Sequence, residues 1–119
     1  MVRWFKAVGV AVWLAAVVAT SAAADDAISD TEMALGYYLP LAEQGEPYAQ
    51  LTIGEIYMEG AGVTADLVSA YAWFYVSLFQ GVQEAQPIME HLMEKLSAEE
   101  QVKARALAEE YVKTYALSR

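Results

Sequence analysis

The chain has 119 residues, no cysteine and a formal net charge of −9. That length suits one domain, the absence of cysteine excludes a disulfide framework, and the acidic balance excludes phosphate-backbone binding, which depends on Lys and Arg. The charge is unevenly spread: no Lys or Arg lies between Asp25 and Glu94, whereas Lys95, Lys103, Arg105, Lys113 and Arg119 gather near the end. An acidic body of this kind has no attraction for anionic lipid.

Residues 1–24 have the order of a secretory signal peptide. Arg3 and Lys6 precede an uncharged stretch, Ala7 to Ala24, which closes on Ser21-Ala22-Ala23-Ala24 before Asp25-Asp26. A positive region, an apolar region and a small-residue exit predict cleavage before Asp25 and delivery to the periplasm or beyond. No cysteine follows, so a lipid anchor is not expected. The alternative is a retained anchor, but 18 residues are at the lower edge for a bilayer core of ~30 Å. Membrane contact is expected only through an uncleaved form of this segment.

Five helices are predicted after it, and no strand. Ser29 and Glu32 form a capping-box pair that opens the first helix, and Gly45 closes it. Pro40 falls inside that helix, where proline costs ~3 kcal/mol or more, so a kink or an early end near Leu39 is expected. Pro47 suits the first turn of a second helix, which places Ala49, Ile53, Ile56 and Tyr57 on one face and ends at Gly60-Ala61-Gly62. Asp66 caps a third helix running to Phe79, stopped by Gln80-Gly81. A fourth runs from about Glu84 to Leu96. The capping box Ser97 to Glu100 then opens a last helix with one stripe of Ala104, Leu107, Ala108, Tyr111 and Tyr115.

The chain also repeats itself with a period of 36 residues. Asp30 aligns with Asp66, Ala34 with Ala70, Tyr37-Tyr38 with Trp73-Phe74, Gln44-Gly45 with Gln80-Gly81, and Ala49-Gln50 with Ala85-Gln86. A period in this range indicates stacked helical pairs. Within it, Ala49, Leu51, Gly54, Tyr57, Gly60, Gly62, Val63, Asp66, Ala70, Trp73, Phe74, Gly81 and Ala85 resemble the Sel-1-like repeat, a relative of the tetratricopeptide repeat. The run Gly60-Ala61-Gly62-Val63 with Asp66, Ala70 and Trp73-Phe74 is the most specific part of the resemblance.

The resemblance implies an all-α, right-handed α-α solenoid. Residues 30–48 are expected to be a half repeat, 49–85 a full repeat, and 86–119 a degenerate repeat serving as a C-terminal cap, where Glu109 stands in place of a recurring Trp73. The matched residues also have physical reasons to be there. Ala49, Gly54 and Ala70 are small where helices cross, Trp73 and Phe74 fill the space this leaves, and Gly60 and Gly62 allow a tight turn. These positions are structural. The family implies protein–protein interaction, as an adaptor or scaffold held at the bacterial envelope.

Residues with chemical potential lack a catalytic or ligand pattern. Met89 and Met93 flank His91, the single histidine, which suggests copper ligation. On a helix, however, the two methionines share a face that the histidine points away from, so a core methionine pair with a surface histidine is expected. Glu55 and Glu59, and Glu90 and Glu94, are helical i, i+4 pairs, read as solvated acidic faces. Gly60-x-Gly62 lacks the strand and lysine of a phosphate loop. No catalytic residue, cofactor or metal is expected.

The third helix is the most informative remaining feature, because Leu67 to Phe79 carries no charge. Ala70, Trp73, Phe74, Ser77 and Leu78 form the repeat core, and Tyr71, Tyr75, Val76 and Phe79 lie on roughly the other side. A helix that is apolar all round needs covering on both sides. Either neighbouring helices cover the second stripe, or it is an aromatic surface for a protein or peptide partner or for a second copy of the chain. Tyr71, Tyr75, Val76 and Phe79 are therefore the candidate partner-binding residues.

Overall fold

The computed structural model describes residues 32–117. The predicted signal peptide (1–24) and the Ser29 cap of the first helix lie outside the described residues. Within them the chain is all-helical: α1 over residues 32–43, α2 Pro47–Glu59, α3 Leu67–Phe79, α4 Ala85–Lys95 and α5 Ala98–Val112, which continues as a π-helical turn over Lys113–Leu117.

The chain ends these helices with the chemistry expected of each position. Asp66 caps α3: its Oδ1 accepts from the Ser69 amide at 3.1 Å and its Oδ2 from the Ser69 hydroxyl at 2.8 Å. The Asp66 amide also donates to the Tyr57 carbonyl at 2.9 Å, tying the loop back to the end of α2. Ser97 and Glu100 form a full capping box at the start of α5, in which each side chain accepts from the other's backbone amide.

The 36-residue period reappears in the backbone. Gly45 and Gly81 both take left-handed angles, φ 97° and 104°. Around the first, the Gln44, Gly45 and Glu46 amides donate to Pro40, Ala42 and Leu41; around the second, the Gln80, Gly81 and Val82 amides donate to Val76, Leu78 and Ser77. The two sets are the same Schellman turn, displaced by one repeat.

Pro40 does not end α1, contrary to the expectation of an end near Leu39: the helix runs through it to residue 43. The cost is small here because Pro40 withholds a hydrogen bond only from the carbonyl four residues back, on Gly36. Both residues are exposed, and that stretch of backbone is open to water.

Helix α3 packs against α2, α4 and α5 and feeds two apolar clusters. Trp73 and Val76 join Ala42, Ala49, Ile53, Ile56 and Val112. Ala70, Tyr71, Ala72 and Phe74 join Ala85, Met89, Leu92, Leu96, Ala104 and Ala108. The closest approach is between α2 and α3. A Cβ built on Gly54 would lie 2.8 Å from Cε1 of Phe74 and 2.9 Å from its Cδ1. Only a residue without a side chain lets that ring lie where it does.

Gly54 and the exposed Gly36 therefore respond oppositely to the same change. Gly54→Ala gains helix propensity of ~1 kcal/mol, but must displace a fully buried ring, and overpacking of this kind costs ~1–3 kcal/mol. Net destabilisation is expected. A Cβ on Gly36 meets nothing within 4 Å, so Gly36→Ala should stabilise by ~0.4–1 kcal/mol. Urea denaturation followed by circular dichroism checks both signs.

Candidate interaction site

The middle of α3 is committed to the core. Trp73 is 3% exposed and lies among the rings of α5 and the π turn: Tyr115 stacks on it at 5.0 Å and 20°, and Tyr111 lies at 4.7 Å and 56°. Tyr111 and Tyr115 meet edge to face at 5.2 Å. These geometries each contribute ~0.5–1.5 kcal/mol beyond area burial. Burial pushes the Tyr111 hydroxyl up to about 12, with neighbouring Tyr115, Tyr57, Asp66 and Glu110 adding to the effect.

The two buried polar side chains are both accounted for. Gln50 donates from Nε2 to the Ala42 carbonyl at 3.0 Å and accepts from Gln80 Nε2 at 2.7 Å, so one amide on α2 bridges the ends of α1 and α3. Ser77 donates to the Pro47 carbonyl at 2.8 Å. Among the described residues, no buried side-chain nitrogen or oxygen lacks a partner. The repeat-related Gln86 is instead exposed and reaches Glu90 at 3.3 Å.

The structure divides the second stripe of α3. Tyr71 and Val76 are buried, one in each apolar cluster. Tyr71 is covered by residues of α4 and α5, whereas Val76 packs among Ala42, Ala49, Ile53 and Ile56 of α1 and α2 together with Val112. Tyr75 is half-buried, with its ring 6.2 Å from that of Tyr71, and Phe79 is 54% exposed. Tyr75 and Phe79 line an open groove of about 190 Å³, completed by Glu109, Val112, Lys113 and Leu117. Leu117 is itself 62% exposed. A second cleft, of about 370 Å³, lies between α3, α4 and α5 and is lined by Tyr71, Leu78, Gln86, Met89, Glu90, Met93 and Arg105.

The remaining candidates fall as follows. Met89 is buried, Met93 is half-buried, and His91 is exposed beside Glu94, 4.0 Å away. No group of three or more His, Cys, Asp or Glu able to hold a metal occurs among the described residues. Glu55 departs from the expected solvated face. It is half-buried, and desolvation, reinforced by Glu59, raises its carboxyl above the usual range. No described helix is long and apolar enough to cross a membrane.

No family model matches the chain, and no curated protein does. Among solved structures it is similar to c5321, a protective antigen present in uropathogenic Escherichia coli strains that displays an SLR (Sel-1-like repeat) fold, at 34% identity and a TM-score of 0.65 over 68% of this chain. The chain has the Sel-1-like repeat fold. It spans 18% of the length of that structure.

The repeat residues sit where packing and turns need them. Ala49, Gly54, Ala70, Trp73, Phe74 and Ala85 are buried and Tyr57 is half-buried. Gly60, Gly62 and Gly81 hold positive φ, and Asp66 is the cap of α3. The rest of the groove, Glu109, Val112, Lys113 and Leu117, is absent from the candidates read in the sequence. The stripe of α5 was legible through Tyr111 and Tyr115, both of which meet Trp73, but the π turn itself, which carries Lys113 and Leu117, has no local sequence signal.

The Tyr111 shift has a consequence for alkaline stability. Its neutral form is favoured in the folded state, so this contribution is complete below pH 10, the ordinary tyrosine value, and is lost as pH rises towards about 12. Burial also raises Tyr71 and Tyr115, so tyrosinate absorbance during an alkaline titration should show a late component accompanied by loss of helix, and Tyr111→Phe should reduce its amplitude by one tyrosine.

Proposed function

We propose that this Sel-1-like repeat protein is an exported, non-catalytic interaction module of the bacterial envelope, and that it docks a protein or peptide at the groove where α3 meets the end of α5. The observation that carries this reading is Phe79. It is a large aromatic side chain, 54% exposed, at the end of a helix whose other aromatic residues are spent on packing. It lines an apolar groove with Tyr75, Val112 and Leu117. Exposed apolar patches bordered by charge suit partner docking, and aromatic residues are the usual anchors.

Three further features support the reading. The fold is one used for protein interaction, and the motif residues are occupied in holding it together, which leaves docking to residues outside the motif. The order of charges and small residues in 1–24 supports export and removal of that segment. A division into a half repeat, a full repeat over 49–85 and a closing unit would suit a small solenoid with a polar end.

A photo-crosslinking phenylalanine analogue placed at position 79 of the full chain tests the surface in the producing cell. Tyr37, which is 66% exposed and does not line the groove, serves as the control position. Protein adducts in the envelope fraction from position 79 and none from position 37 are expected. Equal yields, or none at position 79, would contradict the reading.

A further inference from the structure

We infer that the occupant of this groove is a second copy of the chain, docked about a twofold axis through the Tyr75–Phe79–Leu117 surface. This rests on the reading of the groove as a docking surface and names what fills it.

The first observation is the pairing of an apolar centre with two unspent charges. Glu109 and Lys113 are four residues apart and both line the groove. A Glu followed by a Lys at this spacing ordinarily pairs along a helix. Here they do not: the ion pairs among the described residues are His91–Glu94 and Lys103–Glu99. The Lys113 amide donates to both the Glu109 and Glu110 carbonyls where α5 passes into the π turn over Lys113–Leu117. Glu109 and Lys113 are both exposed and open to a partner, and the turn that begins at Lys113 carries Leu117 to the groove.

The second observation is the charge of the whole chain. With a formal net charge of −9 and no Lys or Arg between Asp25 and Glu94, two copies repel one another over most of their surface. The groove is different, because its two charges sum to zero and are of opposite sign. A patch with one acid and one base flanking an apolar centre is complementary to itself under twofold rotation. Glu109 of each copy meets Lys113 of the other, and the Phe79 side chains enter the grooves between them. A closed pair results, with the strongly acidic remainder facing water.

Charge exchange tests this, because the two single variants fail alone and work together. Sedimentation velocity at rising concentration of the exported chain should show a monomer–dimer equilibrium with no larger species. Lys113→Glu leaves two acids on the patch and Glu109→Lys leaves two bases. Each alone should raise the dissociation constant by about tenfold or more. An equimolar mixture of the two should dimerise, as should the double variant E109K/K113E. Phe79→Asp should abolish the dimer with little change in melting temperature, since that side chain is half outside the fold.

A wild-type chain that stays monomeric overturns the inference. So does a dimer indifferent to the single variants, or single variants that mixing does not rescue. If the chain is monomeric and position 79 crosslinks to a different protein, the second-copy assignment fails and the docking surface stands. If it is monomeric and position 79 crosslinks to nothing, both fail.

Discussion

The fold depends on one crossing, the Phe74 ring of α3 laid against the bare backbone of α2 at Gly54. A Cβ there would lie 2.8 Å from the ring, so the two helices approach more closely than side chains ordinarily allow. That approach fixes the depth of α3, and the depth of α3 fixes the rest. With Phe74 seated, Trp73 falls on the side reached by Tyr111 and Tyr115. Tyr71 is turned to the cluster built with α4 and α5. A helix with no charge along its length tolerates this central position because every side of its middle has apolar company.

Sandwiching α3 also decides what is left over. The buried residues run from Ala70 to Ser77 with only Tyr75 partly open, and the helix emerges from cover at Phe79. The end of α5 meets it there. Glu109 and Lys113 lie beside an apolar groove there, and the π turn that begins at Lys113 brings Leu117 to it. Motif residues and groove residues are thus separate sets. The first hold the structure, and the second lie where α3 and the last helix end.

Most of the scaffold was legible in the sequence because its signals are local. Asp66, the Gln80-Gly81 stop and the Ser97–Glu100 box each act within one turn, and they bound α3 and open α5 as read. The 36-residue period is visible because Gly45 and Gly81 perform the same turn. Pro40 does not end α1 because the helix penalty depends on whether the carbonyl it orphans is buried, and Gly36 lies in the open. The second stripe of α3 was harder, since its four apolar residues look alike in the sequence. Only tertiary packing separates them: α4 and α5 bury Tyr71 and α1 and α2 bury Val76, while Tyr75 stays partly open and Phe79 exposed. The far wall of the groove includes the π turn, which no cap or breaker in the sequence announces and whose Tyr115 stacks on Trp73.

If α3 is the element on which the others rest, its amides should open last. Native-state hydrogen exchange measures this residue by residue. The account predicts that amides from Ala70 to Ser77 exchange only through global unfolding, while α1 and the π turn over Lys113–Leu117 exchange through smaller openings. Earlier exchange in α3 than in α2, α4 or α5 would contradict it.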